Sequence, residues 1–258
     1  LAAGCPVVVK GHPAHPGTCE LLARAVYKAL LKHNLPSGCY SLLQGRGNDL
    51  GTYLVKHPLT QAVAFTGSLQ GGRALFDAAS SRAHPIPVYA EMGSVNPVFL
   101  LPGALKERAE KIAEAYVQSV NMGVGQFCTN PAILLGLKGA DLDTSATKTA
   151  QPVPHVPPAN MQHPGIHQAN KARTRGRRTI KGLHKVAQSS ADPDHHASQA
   201  ACRIFKTELE VVEKNDELRR EVFGPCSIIT ECADLDSLLR LANSLEGQLT
   251  AALHGTEQ

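Results

Sequence analysis

Short apolar runs alternate with blocks of helical period along the first third of the chain, and that alternation leaves few folds open to it. Pro6-Val7-Val8-Val9-Lys10 reads as a buried parallel strand. A helix from Thr18 to His33 follows, with Thr18 as its cap and Leu21, Leu22, Ala25, Val26, Ala29 and Leu30 recurring at helical spacing. Next come a strand at Tyr40-Ser41-Leu42-Leu43, a short helix near Asn48 to Lys56, a strand at Ala62-Val63-Ala64-Phe65 and a helix ending about Ser81. Strands and helices in strict alternation pack as βαβ units on a parallel sheet, so the fold class is α/β.

Two turns in this region carry chemistry. Thr66-Gly67-Ser68-Leu69-Gln70-Gly71-Gly72 joins a strand to a helix. Backbone N–H groups and the positive end of a helix dipole at such a turn suit a phosphate, although a tight turn with no ligand has the same composition. The Gly-x-Gly-x-x-Gly order of the common dinucleotide fingerprint is absent. Val88-Tyr89-Ala90-Glu91 leads into Met92-Gly93-Ser94-Val95-Asn96-Pro97 and sets Glu91 at the mouth of a strand. On the bare pattern such a glutamate is a solvated surface residue.

The most unusual stretch is Gly123-Val124-Gly125-Gln126-Phe127-Cys128-Thr129-Asn130-Pro131. A helical pattern from Ala104 to Val120 runs into it, and the apolar run Ala132-Ile133-Leu134-Leu135 follows. Glycines and a Thr-Asn-Pro stop impose irregular backbone, which offers Cys128 to a ligand instead of to a core. The chain has seven cysteines, an odd number with no Cys-x-x-Cys pair, which argues against a disulfide framework and against a cysteine zinc site. His163 and His167 are spaced i, i+4 without a nearby acidic or thiol ligand, and are expected to face solvent; no metal site is expected.

Gly-Gln-Phe-Cys-Thr-Asn-Pro resembles the cysteine signature of the aldehyde dehydrogenase superfamily, in the branch that contains 2-oxoglutarate (2,5-dioxovalerate) semialdehyde and bacterial NADP-dependent enzymes. Glu-Met-Gly-Ser-x-Asn-Pro is similar to the general-base signature of the same superfamily, and the two occur in the expected order. Glu221-Val222-Phe223-Gly224-Pro225 resembles a third marker. The resemblance implies Cys128 as nucleophile and Glu91 as base. It implies that Glu221 bonds the nicotinamide ribose and that Phe223 packs near the nicotinamide. Gly67, Ser68 and Gly72 match the family's variant phosphate turn, and Lys10 with His12 match the residues that contact the adenosine ribose. NAD-preferring relatives carry a glutamate three residues after that lysine. Pro13 stands there, so NADP is favoured over NAD.

The same resemblance divides the chain into residues 1–92, part of an NAD(P)-binding domain, and residues 93–258, part of a catalytic domain. The match is to an internal portion of a full-length member, truncated at both ends. The asparagine that completes the family's oxyanion hole lies upstream of that portion. Two functions therefore stand side by side: oxidation of an oxo-acid semialdehyde through a cysteine thioester, or a nucleotide-binding module without turnover. Full-length relatives are implied to be homo-oligomers.

The net charge of +4 is uneven. Between Thr144 and Ala200 lie eight lysines or arginines (Lys148, Lys171, Arg173, Arg175, Arg177, Arg178, Lys181 and Lys185) against Asp192 and Asp194, so the remainder is net negative. This stretch has no sustained apolar period except about Ile180 to Val186, and reads as a solvated insertion whose folding is in question. It lacks the aromatic residues that stack on bases, which ranks a nucleic-acid partner low. No apolar run approaches the ~20 residues of a membrane helix and no start resembles a signal peptide, so the expectation is a cytoplasmic protein without a membrane partner.

Overall fold

The computed structural model describes residues 1–194 and 196–256. They fall into two compact units, Leu1–Met92 and Gly93–Gln258.

The first unit contains β1 (Val7–Lys10), α1 (Pro16–Lys32), β2 (Tyr40–Leu43), α2 (Asp49–Lys56), β3 (Val63–Thr66), α3 (Leu69–Ser80) and β4 (Val88–Glu91). β1 pairs in parallel with β2, and β3 in parallel with β4. α1 begins two residues before Thr18, because Pro16 at its first position has φ already set for a helix and needs no N–H partner. Its packed face is Ala23, Val26, Tyr27 and Leu30, which meet Tyr40 and Leu42 of β2. Leu21 and Leu22, expected on that face, are 68% and 63% exposed. β1 is likewise less buried than its sequence suggests. Val9 packs toward α1, but Val8 points to the opposite face and is exposed. Arg82 ties the turn after α2 together, donating to the carbonyls of Val55, His57, Pro58 and Thr60.

The second unit runs β5 (Val98–Leu100), α4 (Pro102–Asn121), β6 (Ile133–Leu137), α5 (Ala140–Ala150), β7 (Ala159–Asn160), α6 (Pro164–Arg177), β8 (His184–Gln188), β9 (Gln199–Ala200), β10 (Arg203–Glu208), α7 (Leu209–Lys214), β11 (Cys226–Cys232), α8 (Leu235–Ser244) and β12 (Ala252–His254). Six strands form one sheet in the order β12-β5-β6-β11-β10-β8. All its pairings are parallel except that of β8 with β10. Side chains alternate between the two faces. Leu100, Leu134, Ile204 and Ile229 pack under α4 and α5, while Ile133, Leu135, Phe205 and Ile228 pack under α7 and α8. Each fully buried side chain of this size contributes about 2 kcal/mol. A strand covered on both sides reads as an unbroken apolar run, as Ala132-Ile133-Leu134-Leu135 does.

α4 begins at Pro102, ahead of the expected Ala104, and is kinked at Arg108, whose φ of −147° is non-helical and whose guanidinium donates to the Gly255 carbonyl at 2.9 Å. β12 is shorter than the expected strand from Gly247 to His254. The residues before it leave the sheet and turn back onto the 94–96 loop.

The segment from Thr144 to Ala200 is folded, contrary to the expectation of a solvated insertion. Its helical period is present but written in polar residues. Ser145 and Thr149 are buried on α5, and His167, Asn170, Thr174 and Arg177 are buried on α6. Spacings of three and four place each set on one helix face, which an apolar count does not detect. His167 is thus buried instead of solvent-facing, and His163 caps α6 by accepting the Gly165 N–H at 3.0 Å.

Candidate active site

The loop that carries Cys128 leaves α4 through three consecutive residues with positive φ, Gly123 at 55°, Val124 at 60° and Gly125 at 65°. A β-branched residue in this region is strained by about 1–2 kcal/mol and persists only where its surroundings fix it. Gly125 supplies that fixation: a Cβ on it would stand 2.3 Å from the Gly224 carbonyl carbon, and the Gly224 N–H donates to the Gly125 carbonyl at 3.1 Å. Only glycine lets the two backbones approach so closely. Beyond Gln126 the chain exposes Phe127, Cys128 and Thr129 and re-enters the core at Asn130.

A second fixation comes from Asn96, which is buried and has φ of 44°. Its Nδ2 donates to the carbonyl of Cys128 at 2.8 Å and to that of Asn130 at 2.9 Å. Its Oδ1 accepts from the Ser94 hydroxyl and from the Thr250 N–H and hydroxyl. Gln248 completes the frame, its Oε1 accepting from Ser94 Oγ, Val95 N and Asn96 N at 3.0, 2.7 and 3.2 Å. The chain segment before β12 therefore holds the 94–96 loop, and that loop holds the cysteine backbone.

In the first unit Cys5 is exposed and Cys19 and Cys39 are half-buried; the other cysteines of the second unit differ from Cys128 in setting. Cys202, Cys226 and Cys232 are buried, and burial pushes the Cys202 thiol up to about 12 and that of Cys232 up to about 11. A thiol so shifted is neutral and unreactive at neutral pH. Cys128 is exposed.

Glu221 and Phe223 lie on the loop that ends at Gly224, against the cysteine loop. The Glu221 side chain is part-buried and lies over Gly93, where a Cβ would meet its Oε2 at 2.8 Å. Burial raises its pKa above the usual glutamate range, opposed by the Ser94 N–H and then by the Arg173 guanidinium. The structure thus brings Cys128, Glu221 and Phe223 onto loops that touch one another in the second unit.

The remaining predicted residues lie in the first unit. Gly67 and Ser68 connect β3 to α3, and Glu91 ends β4 opposite Thr66 of β3, so all three stand at the carboxyl end of this strand pair. Ligands of parallel sheets bind at such ends. Ser68 Oγ accepts the Gly71 N–H at 3.2 Å, which leaves the N–H groups of Leu69 and Gln70 as first-turn donors without intrahelical acceptors. Gly72 packs: a Cβ there would meet Met92 Sδ at 2.4 Å. Lys10 ends β1 and donates to the Gly11 carbonyl, and the His12 ring stacks on His15 at 4.7 Å. The first-turn N–H groups of α3 could hold a phosphate, and Lys10 and His12, with no carboxylate at position 13, could hold an adenosine ribose.

The family model described as the aldehyde dehydrogenase family matches residues 1–258. The chain belongs to the aldehyde dehydrogenase family. Among curated aldehyde dehydrogenases, it is 46% identical over 257 residues to alpha-ketoglutaric semialdehyde dehydrogenase 2 of Azospirillum brasilense, covering 98% of this chain and 48% of that protein. It is 41% identical over 258 residues to the alpha-ketoglutaric semialdehyde dehydrogenase of Acinetobacter baylyi, covering 100% of this chain and 48% of that protein. The chain spans about half the length of these aldehyde dehydrogenases. Its fold is similar to that of a NAD-dependent benzaldehyde dehydrogenase from Corynebacterium glutamicum, with a TM-score of 0.81, 21% identity, and coverage of 99% of this chain and 55% of that one.

Asn96 stands in the Glu91 signature without an expected role, Arg173 is expected only as part of the basic run, and Gln248 and Asn170 carry no expectation. Asn96 had one signal, an asparagine where backbone of positive φ is tolerated. Gln248 and the α6 residues had none, because they act from distant parts of the chain. Among the described residues no group of three or more His, Cys, Asp or Glu side chains is arranged to hold a metal, and no helix is long and apolar enough to cross a membrane.

Proposed function

We propose that the protein oxidises an aldehyde to the carboxylic acid with NAD(P), through a thioester on Cys128, and that its substrate is an oxo-acid semialdehyde such as 2-oxoglutarate semialdehyde. The observation that carries this reading is the exposed Cys128 on a loop fixed by Asn96 and Gly224. The semialdehyde assignment rests on the names of the two curated relatives at 46% and 41% identity.

Cys128 as thiolate forms a carbon–sulfur bond to the aldehyde carbon, and the carbonyl oxygen becomes an alkoxide. The Cys128 N–H is a donor to that oxygen, an interaction typically worth about 3 kcal/mol in the transition state. A nicotinamide held by Glu221 and Phe223 would supply the hydride acceptor that lets the Cys128 adduct become a thioester. Glu91 removes a proton from water, whose oxygen attacks the thioester carbon; the carbon–sulfur bond breaks and Cys128 returns to thiolate. Glu221 and Phe223 hold the ribose and nicotinamide. Lys10, His12 and the α3 N-terminus, with Gly67 and Ser68, hold the phosphates and adenosine ribose, with Gly72 closing α3 against its strand. NADP is the preferred form, because no acidic side chain stands at position 13 to repel a 2′-phosphate. Seven free cysteines suit a reducing compartment such as the cytoplasm.

The test is the formation of reduced nicotinamide by the purified chain with NADP and a panel of aldehydes, beside Cys128→Ala. Reduction with the semialdehyde that is lost in Cys128→Ala is the expected result. Cofactor binding without reduction by the unmodified chain would leave a nucleotide-binding module and refute the catalytic reading.

A further inference from the structure

α6 presents three side chains, one turn apart, to three carbonyls of a single loop. Asn170 Nδ2 donates to the Phe223 carbonyl at 3.2 Å, Arg173 Nη1 to the Glu221 carbonyl at 2.8 Å, and Arg177 Nη2 to the Arg220 carbonyl at 3.3 Å. Spacings of three and four place them on one helix face, and the carbonyls belong to the stretch that carries Glu221 and Phe223. Arg177 is buried and also donates to Cys226 Sγ at 3.2 Å, which anchors this end of the helix to the start of β11. Gly224 next to the loop has no room for a side chain, because Asn170 Nδ2 would lie 2.2 Å from a Cβ. The loop is therefore held from α6 on one side and from Gly125 on the other.

We propose that α6 is a positioning element for the cofactor, with Arg173 setting the place of Glu221 and Asn170 setting the place of Phe223. The inference rests on the cofactor roles assigned above to Glu221 and Phe223. Its physical basis is independent of them, and is the set of three bonds from α6 to the carbonyls of Arg220, Glu221 and Phe223. Burial favours the uncharged form of the Glu221 carboxyl, and the Ser94 N–H and then the Arg173 guanidinium favour the charged one. A ribose hydroxyl donates its hydrogen bond more strongly to a carboxylate than to a neutral acid. A positive charge at the exposed edge of this helix face thus serves the loop that it covers.

Calorimetric titration with NADP of the unmodified chain, Arg173→Ala, Arg173→Lys, Glu221→Ala and the Arg173→Ala/Glu221→Ala pair tests this. Arg173 is exposed, so its substitution is expected to leave the fold intact, which unchanged circular-dichroism spectra and cooperative urea unfolding of the variants check. Arg173→Ala is expected to weaken NADP about fivefold, the scale of a charged hydrogen bond reduced by solvent screening. Arg173→Lys is expected to recover most of that loss. The double variant is expected to bind as Glu221→Ala alone does, because Arg173 acts through Glu221. Full additivity in the double variant, or unchanged affinity in Arg173→Ala while Glu221→Ala binds weakly, overturns the positioning role and leaves the role of Glu221 standing. Unchanged affinity in Glu221→Ala overturns both.

Discussion

Asn96 Nδ2 lies 2.8 Å from the carbonyl oxygen of Cys128, so a side chain in the signature downstream of Glu91 fixes the backbone of the cysteine itself. The same amide holds the Asn130 carbonyl at 2.9 Å, and the two contacts bracket the exposed residue pair Cys128-Thr129. Two carbonyls of the loop are thus held by one buried amide.

Replacement of Asn96 by Ala strips a donor from two loop carbonyls and acceptors from Ser94 and Thr250. An expected loss of about 3 kcal/mol follows from leaving buried polar groups without partners, read as a lower urea midpoint at unchanged m-value. Asn96→Asp keeps the acceptor and turns an oxygen toward the two carbonyls. It should therefore be at least as damaging, and equal stability of Asn96→Asp and the unmodified chain would show that the Nδ2 contacts contribute nothing.

Gly125→Ala should be worse than an ordinary surface substitution. Its φ of 65° disfavours any side chain, and the Gly224–Pro225 backbone occupies the space of the new methyl. The combined penalty is about 3 kcal/mol, and iodoacetamide labelling of Cys128 should change rate because its loop must shift. A variant that unfolds at the same urea concentration and labels at the same rate would contradict the close approach.

How much of this was readable in advance depended on where the information lay. The strands buried on both faces of the sheet announced themselves as apolar runs, and Gly123 to Pro131 announced an irregular loop. α6 did not, since its buried positions are His167, Asn170, Thr174 and Arg177, and hydrophobic periodicity is blind to polar residues that bury themselves by bonding backbone carbonyls. Leu21 and Leu22 misled in the opposite sense: apolar at helical spacing, yet exposed, because the packed stripe of α1 passes through Ala23, Val26 and Leu30. The cysteine's supports Asn96 and Gln248 lie far from it in the chain, and only the folded loops join them.

The Glu221 carboxyl carries a pH signature. Its pKa is raised in the folded protein, so between the unfolded and folded values the native state holds more protons than the unfolded chain. The stability assignable to Glu221 is then fully present below the ordinary glutamate pKa and is lost as pH rises through the raised one. Glu221→Gln should gain stability relative to the unmodified chain at neutral pH and lose that advantage in acid. Urea unfolding at both pH values measures it, and an advantage confined to acid would reverse the sign.

Cofactor choice is testable at position 13. Pro13→Glu places a carboxylate three residues after Lys10, beyond the end of β1, where it is expected to repel a 2′-phosphate and accept from ribose hydroxyls. The ratio of NADP to NAD affinity should fall about tenfold. An unchanged ratio would remove position 13 from the cofactor site.

The central claim is a thioester on Cys128 that Glu91 helps water to remove. Peptide mass spectrometry of the Glu91→Gln variant, quenched after mixing with NADP and 2-oxoglutarate semialdehyde, tests it most directly. An acyl group that accumulates on the peptide bearing Cys128, and disappears when Cys128→Ala is added, is the predicted result. An unmodified Cys128 alongside formation of reduced nicotinamide, or acylation of a different cysteine, would contradict it.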